Sequence, residues 1–192
     1  LIENAARENL KKIYVSINHL GEYISSYFGD GTKWGVKIKY LEESKPLGTA
    51  GALSLIPESE DFDNMLMING DIISGINLSD LLNYHLSHNE LATISVRHHM
   101  IENPYGVVNV ENNRMVNFQE KPIYRSFINT GVYCFKKEFI KFVLHNEKID
   151  MPTLLERVIS DGNIVRVYNF FDSWIDVGTP ADLASISSKI RP

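Results

Sequence analysis

Met65-Leu66-Met67-Ile68-Asn69-Gly70-Asp71 is the stretch that decides the fold of this chain. Four consecutive apolar residues are typical of a strand that is buried on both faces of a parallel sheet. The strand ends in a turn that carries a carboxylate, Asp71. Because ligands bind at the carboxyl ends of the strands in open α/β sheets, Asp71 is predicted to lie at a binding site.

Around this strand, strand-like and helix-like runs alternate along the first half of the chain. The runs are 13–17, 20–28, 36–41, 50–55, 65–68 and 79–88, beginning with a strand. Such alternation predicts βαβ units. The middle is rich in strands, and helical patterns follow it: strands are predicted at 91–96, 106–110, 115–119 and 128–135, and helices at 136–144, 153–160 and 180–189.

These patterns predict one domain over residues 1–192 with an α/β, Rossmann-like fold. We expect three layers, α/β/α, around a mixed, mostly parallel sheet with a small antiparallel extension. Asn112 and Asn113 predict a tight hairpin turn, because asparagine tolerates the left-handed backbone conformation. The helix that ends at Phe28 is followed by Gly29-Asp30-Gly31, which predicts its termination there.

Composition and charge exclude several classes of function. A formal net charge of -5 and an isoelectric point near 5.7 disfavour binding to nucleic acid. No apolar run approaches the length of a membrane span. The single cysteine, Cys134, lies in an apolar stretch, so we predict a core residue in a reducing, cytoplasmic compartment.

The histidines and the cysteine do not predict a zinc site or covalent acyl chemistry. His85 and His88 lie three residues apart in a helical pattern and are interpreted as solvated surface residues. Cys134 lacks a basic neighbour that would activate it as a nucleophile.

Two carboxylates are the main candidates for chemistry. Asp71 follows one apolar strand, and Asp176 follows apolar residues in Trp174-Ile175-Asp176-Val177-Gly178. Mg²⁺ is commonly held by one or two carboxylates together with substrate phosphates, so this pair predicts a magnesium site. The alternative for each residue is a helix cap or a turn carboxylate.

Other segments allow a ligand-binding or a structural interpretation. Small residues in Leu47-Gly48-Thr49-Ala50-Gly51 would let a ligand approach the backbone, or would merely pack a strand-to-helix turn. Glu120-Lys121 would bind sugar hydroxyls and phosphate, or form a surface ion pair. Residues 103–106 and 129–131 place polar side chains beside a glycine, and these would bind ligand or shape a turn.

Taken in order, these motifs resemble the sugar-1-phosphate nucleotidylyltransferases, the NDP-sugar pyrophosphorylases. The amino-acid sequences of these motifs are most similar to those of bacterial hexose-1-phosphate guanylyltransferases. The resemblance implies transfer of a nucleotidyl group from a nucleoside triphosphate to a hexose or hexosamine 1-phosphate. The similarity to guanylyltransferases implies that the nucleoside triphosphate is GTP. The matching motifs are Phe28-Gly29-Asp30-Gly31, Leu47-Gly48-Thr49-Ala50-Gly51, Asn69-Gly70-Asp71, Pro104-Tyr105-Gly106, Glu120-Lys121-Pro122, Asn129-Thr130-Gly131 and Trp174-Ile175-Asp176-Val177-Gly178-Thr179.

The same resemblance implies roles for individual residues. Asp71 and Asp176 would hold the catalytic Mg²⁺, and Lys121 would steady the sugar phosphate as a third catalytic residue. The residues that contact the nucleotide would be Leu47, Gly48, Thr49, Gly51, Asn69 and Gly70. The sugar would meet Tyr105, Gly106, Glu120, Asn129 and Thr130. A homo-oligomer is also expected, because an incomplete sheet invites self-association.

One departure from the family pattern concerns the N-terminus. The family has a glycine-rich segment, Gly-x-Gly-Thr-Arg-Leu followed by Lys-Pro, which this sequence lacks. We therefore expect an N-terminally truncated domain, without the first strand of the sheet, with an open apolar groove and with little activity by itself. Two other functions stay open: a glycosyltransferase of related (GT-A) architecture, and a non-catalytic regulatory module that binds nucleotide-sugar.

Overall fold

The structure, a computed structural model, follows the predicted alternation of strands and helices and describes residues 1–178. The α-helices are α1 (Ile2–Arg7), α2 (Gly21–Phe28), α3 (Gly48–Gly51), α4 (Leu78–His88) and α5 (Met151–Ser160). The strands are β1 (Lys12–Ile17), β2 (Lys37–Glu42), β3 (Asn64–Ile68), β4 (Ile72–Ser74), β5 (Ala92–Glu102), β6 (Val107–Glu111), β7 (Arg114–Gln119), β8 (Ile123–Lys136), β9 (Val165–Asn169) and β10 (Trp174–Asp176). No helix in this range is long and apolar enough to cross a membrane. The helix predicted at 180–189 lies outside the described residues.

The central sheet has four strands in the order β3-β8-β5-β9. Strand β8 runs antiparallel to both β3 and β5, whereas β5 and β9 are parallel. Strands β3, β5 and β9 therefore point the same way, and β8 enters the sheet where those three strands end. We call this side the carboxyl edge. It is the side at which open α/β sheets bind ligands.

Alternation along the central strands divides the core into two layers. Tyr133 and Phe135 of β8 pack in the layer that contains α5, and Val132 and Cys134 pack in the layer that contains Leu81 of α4. Successive side chains of a strand point to opposite faces, which explains this division. The predicted α/β/α arrangement and the mixed sheet are confirmed, and so is the core position of Cys134.

Strands β1 and β2 form a separate parallel pair. Within residues 1–178 no hydrogen-bonded pairing connects them to β3 or to any other strand of the central sheet. Their apolar side chains nevertheless share the α5 layer, since Tyr14 and Leu41 belong to the same cluster as Met65 of β3. Within the described residues, β1 and β2 are thus separate from the four-stranded central sheet in their hydrogen bonding and joined to it through the core.

A buried carboxylate connects the two parts of the sheet. Glu60 precedes β3 and is only 8% exposed. Its carboxylate accepts hydrogen bonds from Lys12 of β1, at 2.6 Å, and from Lys39 of β2. Its main-chain carbonyl accepts one from Lys137, directly after β8. One residue therefore joins both strands of the separate pair to the central sheet.

Strands β5 and β8 extend beyond the core as a two-stranded ribbon. The ribbon pairs residues 97–102 with 123–128, and the β6–β7 hairpin follows at its far end. We call the ribbon and the hairpin the arm. Asn112 and Asn113 have φ of 47° and 62°, which confirms the predicted hairpin turn.

Three sequence predictions need correction. The segment 136–144 forms a short 3-10 helix, Lys137–Phe142, instead of an α-helix. Strand β5 continues to Glu102 instead of ending at 96, because the arm pairs it with β8. The prediction of a solvated His85 was wrong: its side chain is fully buried, and its Nδ1 lies 2.8 Å from the Thr93 hydroxyl.

Replacing Glu60 by Gln is expected to lower the free energy of unfolding, because an amide cannot pair with two ammonium groups. Hydrogen bonds from Lys12 and Lys39 lower the pKa of Glu60 to about 2, from 4.5. The stabilisation is therefore complete above pH 4.5 and is lost as the pH falls towards 2. Urea unfolding at several pH values measures it, with exposed Glu58→Gln as the control. Equal stability of the two variants at pH 7 would contradict the bridging role.

His85 predicts a second pH dependence. Burial, reinforced by the charge of Lys136, lowers the pKa of His85 below its usual 6.5. The unfolded chain therefore takes up a proton more readily than the folded one, and stability decreases as the pH falls below about 6.5. His85→Leu is expected to flatten stability between pH 7 and 5, and exposed His88→Leu is expected to keep the wild-type slope. An unchanged slope in His85→Leu would disprove this origin.

Candidate active site

The turn that ends β3 is held close to the start of the core part of β8. The Asn69 amide donates to the Gly131 carbonyl at 2.9 Å. Gly131 has φ of 74°, and a Cβ placed on it would lie 2.9 Å from Asn69 Nδ2 and 3.1 Å from Ile72. Only glycine tolerates both this backbone conformation and this close approach. The position of Asn69 therefore depends on the absence of a side chain at residue 131.

Asp71 and Asp176 are brought together by the antiparallel pair β4–β10. Asp176 lies opposite Ile72, and the Val177 amide donates to the Asp71 carbonyl at 2.9 Å. Both aspartates are exposed. The structure thus brings the main chains of two aspartates, more than a hundred positions apart in the sequence, side by side across this pair of strands. We call Asp71 and Asp176 the acidic pair.

Trp174 fixes the strand that carries Asp176. Its indole Nε1 donates to the Thr130 carbonyl at 2.8 Å. On the other side, Arg97 approaches the Trp174 carbonyl with Nη1 at 3.4 Å and lies over the indole ring, with its Cζ 5.9 Å from the ring centre. Strands β5, β8 and β10 therefore meet at this tryptophan.

Beneath this surface the hydroxyl groups of two side chains are buried and have hydrogen-bond partners. The Thr130 hydroxyl donates to the Ser95 carbonyl at 3.0 Å, and the Ser95 hydroxyl donates to the Val132 carbonyl at 2.7 Å. Both side chains are fully buried and also contact each other. The Thr130 side chain thus holds β5 against β8, and a contact between Thr130 and sugar stays a prediction.

Asn129 shapes the turn that leads to Gly131. Its Oδ1 accepts from the Gly131 amide at 3.0 Å, and its Nδ2 donates to the Tyr133 hydroxyl at 2.7 Å. Burial raises the pKa of Tyr133, so this hydroxyl is neutral at physiological pH. The structure supports the turn-shaping interpretation of Asn129, and its predicted contact with sugar has no test here.

The loop 47–51 packs against the segment that begins α5. The Thr49 amide donates to Asp150 Oδ1 at 3.0 Å, and the Thr49 hydroxyl accepts from the Met151 amide at 2.8 Å. A Cβ on Gly48 would lie 2.7 Å from Asp150 Oδ1, and one on Gly51 would lie 2.3 Å from a main-chain oxygen. Protein packing accounts for both glycines, so a contact between this loop and a nucleotide stays a prediction.

The predicted sugar-binding residues of the arm form their own cluster. A Cβ on Gly106 would lie 2.3 Å from the ring of Phe118 and 3.1 Å from Glu120 Oε2. Tyr105 is 75% exposed. Within the described range, no hydrogen bond or ion pair connects Glu120 or Lys121 to either aspartate of the acidic pair. The arm and the acidic pair are therefore joined through β5 and β8, without direct contacts between these side chains.

The acidic pair suits magnesium better than a transition metal. Residues 1–178 contain no cluster of three or more histidine, cysteine or acidic side chains that could hold a metal ion. Two exposed carboxylates leave most of the coordination sphere to water and phosphate oxygens, as Mg²⁺ prefers. A magnesium ion held by Asp71 and Asp176 together with a phosphorylated substrate stays a prediction.

Sequence reasoning missed Arg97. A usable signal was present, since Arg97 directly follows the predicted strand 91–96, as Asn69 directly follows 65–68. Both residues mark the carboxyl edge. The contact with Trp174 had no local signal, because it joins residues 77 positions apart.

Known proteins share both the sequence pattern and the fold. The profile of the nucleotidyl transferase family matches residues 1–191. The chain is 30% identical to a UTP–glucose-1-phosphate uridylyltransferase of Synechocystis, with 95% of this chain and 52% of that protein covered. It is 27% identical to a mannose-1-phosphate guanylyltransferase of Mycobacterium tuberculosis, with 99% of this chain and 54% of that protein covered. The chain thus spans about half the length of these curated relatives.

A solved structure shows the same fold. The crystal structure of HddC from Yersinia pseudotuberculosis superposes with a TM-score of 0.74 at 20% identity, covering 100% of this chain and 84% of that one. At this identity the similarity concerns the fold alone.

Gly131→Ala is expected to destabilise the protein more than Gly162→Ala. Both glycines have positive φ, 74° and 86°, so both variants bear the cost of roughly 1 kcal/mol for alanine in that conformation. Only at Gly131 would the new methyl group collide with Asn69, whereas the space around Gly162 is open. Urea unfolding of both variants gives the difference. Equal destabilisation would show that the contact between Gly131 and Asn69 imposes no constraint.

Proposed function

The chain belongs to the nucleotidyl transferase family, and from this membership we propose that its protein transfers a nucleotidyl group from a nucleoside triphosphate to a sugar 1-phosphate. The products are a nucleoside diphosphate sugar and pyrophosphate. The observation that carries the proposal is the acidic pair: Asp71 and Asp176 are each exposed, and their main chains are adjacent across β4 and β10.

The reaction needs positioning and charge neutralisation more than a protein nucleophile. An oxygen of the sugar phosphate attacks the α-phosphorus of the nucleotide, and the bond to the β-phosphate breaks as pyrophosphate leaves. Bound Mg²⁺ would neutralise phosphate charge at this step. Asp71 and Asp176 would hold the ion, and Lys121 would contact the sugar phosphate. Cys134 takes no part, because burial raises the pKa of its thiol to about 12.

We assign the nucleotide to Leu47, Gly48, Thr49, Gly51, Asn69 and Gly70, and the sugar to Tyr105, Gly106, Glu120, Asn129 and Thr130. Guanine is the proposed base, and a hexose or hexosamine is the proposed sugar. Support comes from relatives that are named guanylyltransferases, including one that acts on a heptose 1-phosphate. The uridylyltransferase among the relatives makes base preference a separate question for experiment.

The proposal also covers the compartment in which the protein acts, the use of its product and its oligomeric state. Nucleoside triphosphates are cytoplasmic metabolites, and we place the protein there as a contributor to polysaccharide precursors. Exposed apolar side chains on the arm, including Met100 at 63% and Met115 at 65%, favour a homo-oligomer.

Pyrophosphate release by the natural full-length protein tests the function. The assay combines Mg²⁺ with each of five nucleoside triphosphates and with glucose, mannose and glucosamine 1-phosphates. Release is expected with one preferred pair and is expected to fall at least about a hundredfold in Asp71→Asn and Asp176→Asn, as for the loss of a group that stabilises transition-state charge. Asp61→Asn, at an exposed position before β3, is the matched control and is expected to retain activity.

Other outcomes identify the competing functions. Release of nucleoside diphosphate from a nucleotide-sugar would indicate a glycosyltransferase. Tight binding of nucleotide-sugar without turnover would indicate a regulatory module. Either result would replace the proposed reaction.

A further inference from the structure

Arg97 stands at the carboxyl edge of the central sheet. The residue before it, Val96, pairs with Asn129 of β8 on one side and with Asn169, the last residue of β9, on the other. Arg97 is therefore the first residue of β5 beyond the parallel part of the sheet. This position corresponds to that of Asn69 after β3.

Trp174 orients the guanidinium group of Arg97. The ladder between β4 and β10 uses the Ser173 carbonyl and the Val177 amide, which bond to Gly75 and Asp71. Alternate residues of a strand direct their main-chain groups to opposite sides, so the Trp174 carbonyl faces away from β4, where Arg97 approaches it. The indole ring covers one face of the cation. The edge of the guanidinium, which carries its donors, stays available.

Within residues 1–178, most of the hydrogen-bonding capacity of Arg97 is unused. Guanidinium has five N–H donors, and the contact with the Trp174 carbonyl uses one. The ion pairs found in residues 1–178 involve other cations, namely Lys12, Lys39, Arg157 and Arg166. A half-buried arginine is thus held in place by an aromatic ring, and within the described range no carboxylate neutralises it.

We propose that Arg97 binds the phosphate group of the sugar 1-phosphate substrate; this inference rests on the proposed function. Arginine suits the role because its planar fork donates two parallel hydrogen bonds to a phosphate. Asp176 lies two residues beyond Trp174 in β10, and a strand rises about 3.3 Å per residue. A phosphate bound by Arg97 beside Trp174 would therefore lie close to the acidic pair, Asp71 and Asp176.

The arm indicates which substrate supplies this phosphate. Arg97 pairs with Ile128, next to Asn129, at the base of the ribbon whose far end carries Gly106 and Glu120. Three of the residues assigned to the sugar, Tyr105, Gly106 and Glu120, thus lie on the arm that begins at Arg97, and Asn129 lies directly beside its base. Arg97 would hold the phosphate at the base of the arm.

The test measures binding of glucose, mannose and glucosamine 1-phosphates to the full-length protein by calorimetry, with Mg²⁺ and a non-hydrolysable nucleoside triphosphate present. Arg97→Gln is expected to weaken binding of the sugar phosphate about ten- to a hundredfold, the usual effect of losing hydrogen bonds to a charged group. Arg97→Lys is expected to restore part of the affinity, since it keeps the charge without the fork. Arg125→Gln, at an exposed arginine of the same ribbon, is the matched control.

Fluorescence measures binding next to Arg97 independently of calorimetry, and circular dichroism and unfolding temperature show whether the variants keep their structure. The chain has two tryptophans, so Trp34→Phe leaves Trp174 as the single reporter beneath Arg97. In that background sugar phosphate is expected to change the emission, and the free sugar is expected to have no effect. Arg97→Gln is expected to abolish the change while circular dichroism and unfolding temperature stay close to those of Arg125→Gln.

Three results would overturn the inference. The first is an unchanged affinity of Arg97→Gln for the sugar phosphate. The second is that Arg97→Gln weakens binding of the nucleoside triphosphate and leaves binding of the sugar phosphate unchanged. The third is that the wild-type protein binds none of the tested sugar phosphates. The proposed function is judged separately. Pyrophosphate release that is unchanged by Arg97→Gln would contradict the inference and leave the proposed function in place. Binding of sugar phosphate through Arg97 without any pyrophosphate release would support the role of Arg97 and contradict the proposed reaction.

Discussion

The candidate site depends on the close contact between Asn69 and Gly131. The hydrogen bond at 2.9 Å between their main chains fixes the end of β3 against the beginning of the core part of β8. Once these segments are in place, Thr130 presents its carbonyl to Trp174 and Asp71 presents its carbonyl to Val177. A side chain at residue 131 would disturb each of these contacts, because a Cβ there lies within 3.1 Å of both Asn69 and Ile72.

Polar groups at this edge fall into two layers with different tasks. The hydroxyls of Ser95 and Thr130 are buried, and each has partners in the protein, as groups removed from water require. Above them, as far as contacts among residues 1–178 are concerned, Asp71, Asp176 and Arg97 keep unused hydrogen-bonding capacity. A rigid, satisfied lower layer positions charged groups that are free to bind a ligand, which is what phosphoryl chemistry requires of a protein.

Local patterns made the fold predictable, whereas long-range contacts limited the prediction of the site. Strand β3 and Asp71 could be identified because four apolar residues and a turn lie together in the sequence. His85 was missed because histidine was treated as polar, although Leu78, Leu81 and His85 have the spacing of one buried helix face. No local pattern predicts that Trp174 meets Arg97, since strand order decides it. The glycines of the loop 47–51 were visible, but the segment at 147–150 that explains them was not.

The divided sheet has a consequence for the cooperativity of unfolding. Within the described range, strands β1 and β2 form strand pairings only with each other, and polar contacts of Glu60 and a shared apolar layer hold them to the central sheet. Regions with few connections open at lower free energy than the global transition. Amide protons of this pair would therefore exchange with deuterium sooner than those of β5 and β8, and the chain would behave as two cooperative units of unequal stability.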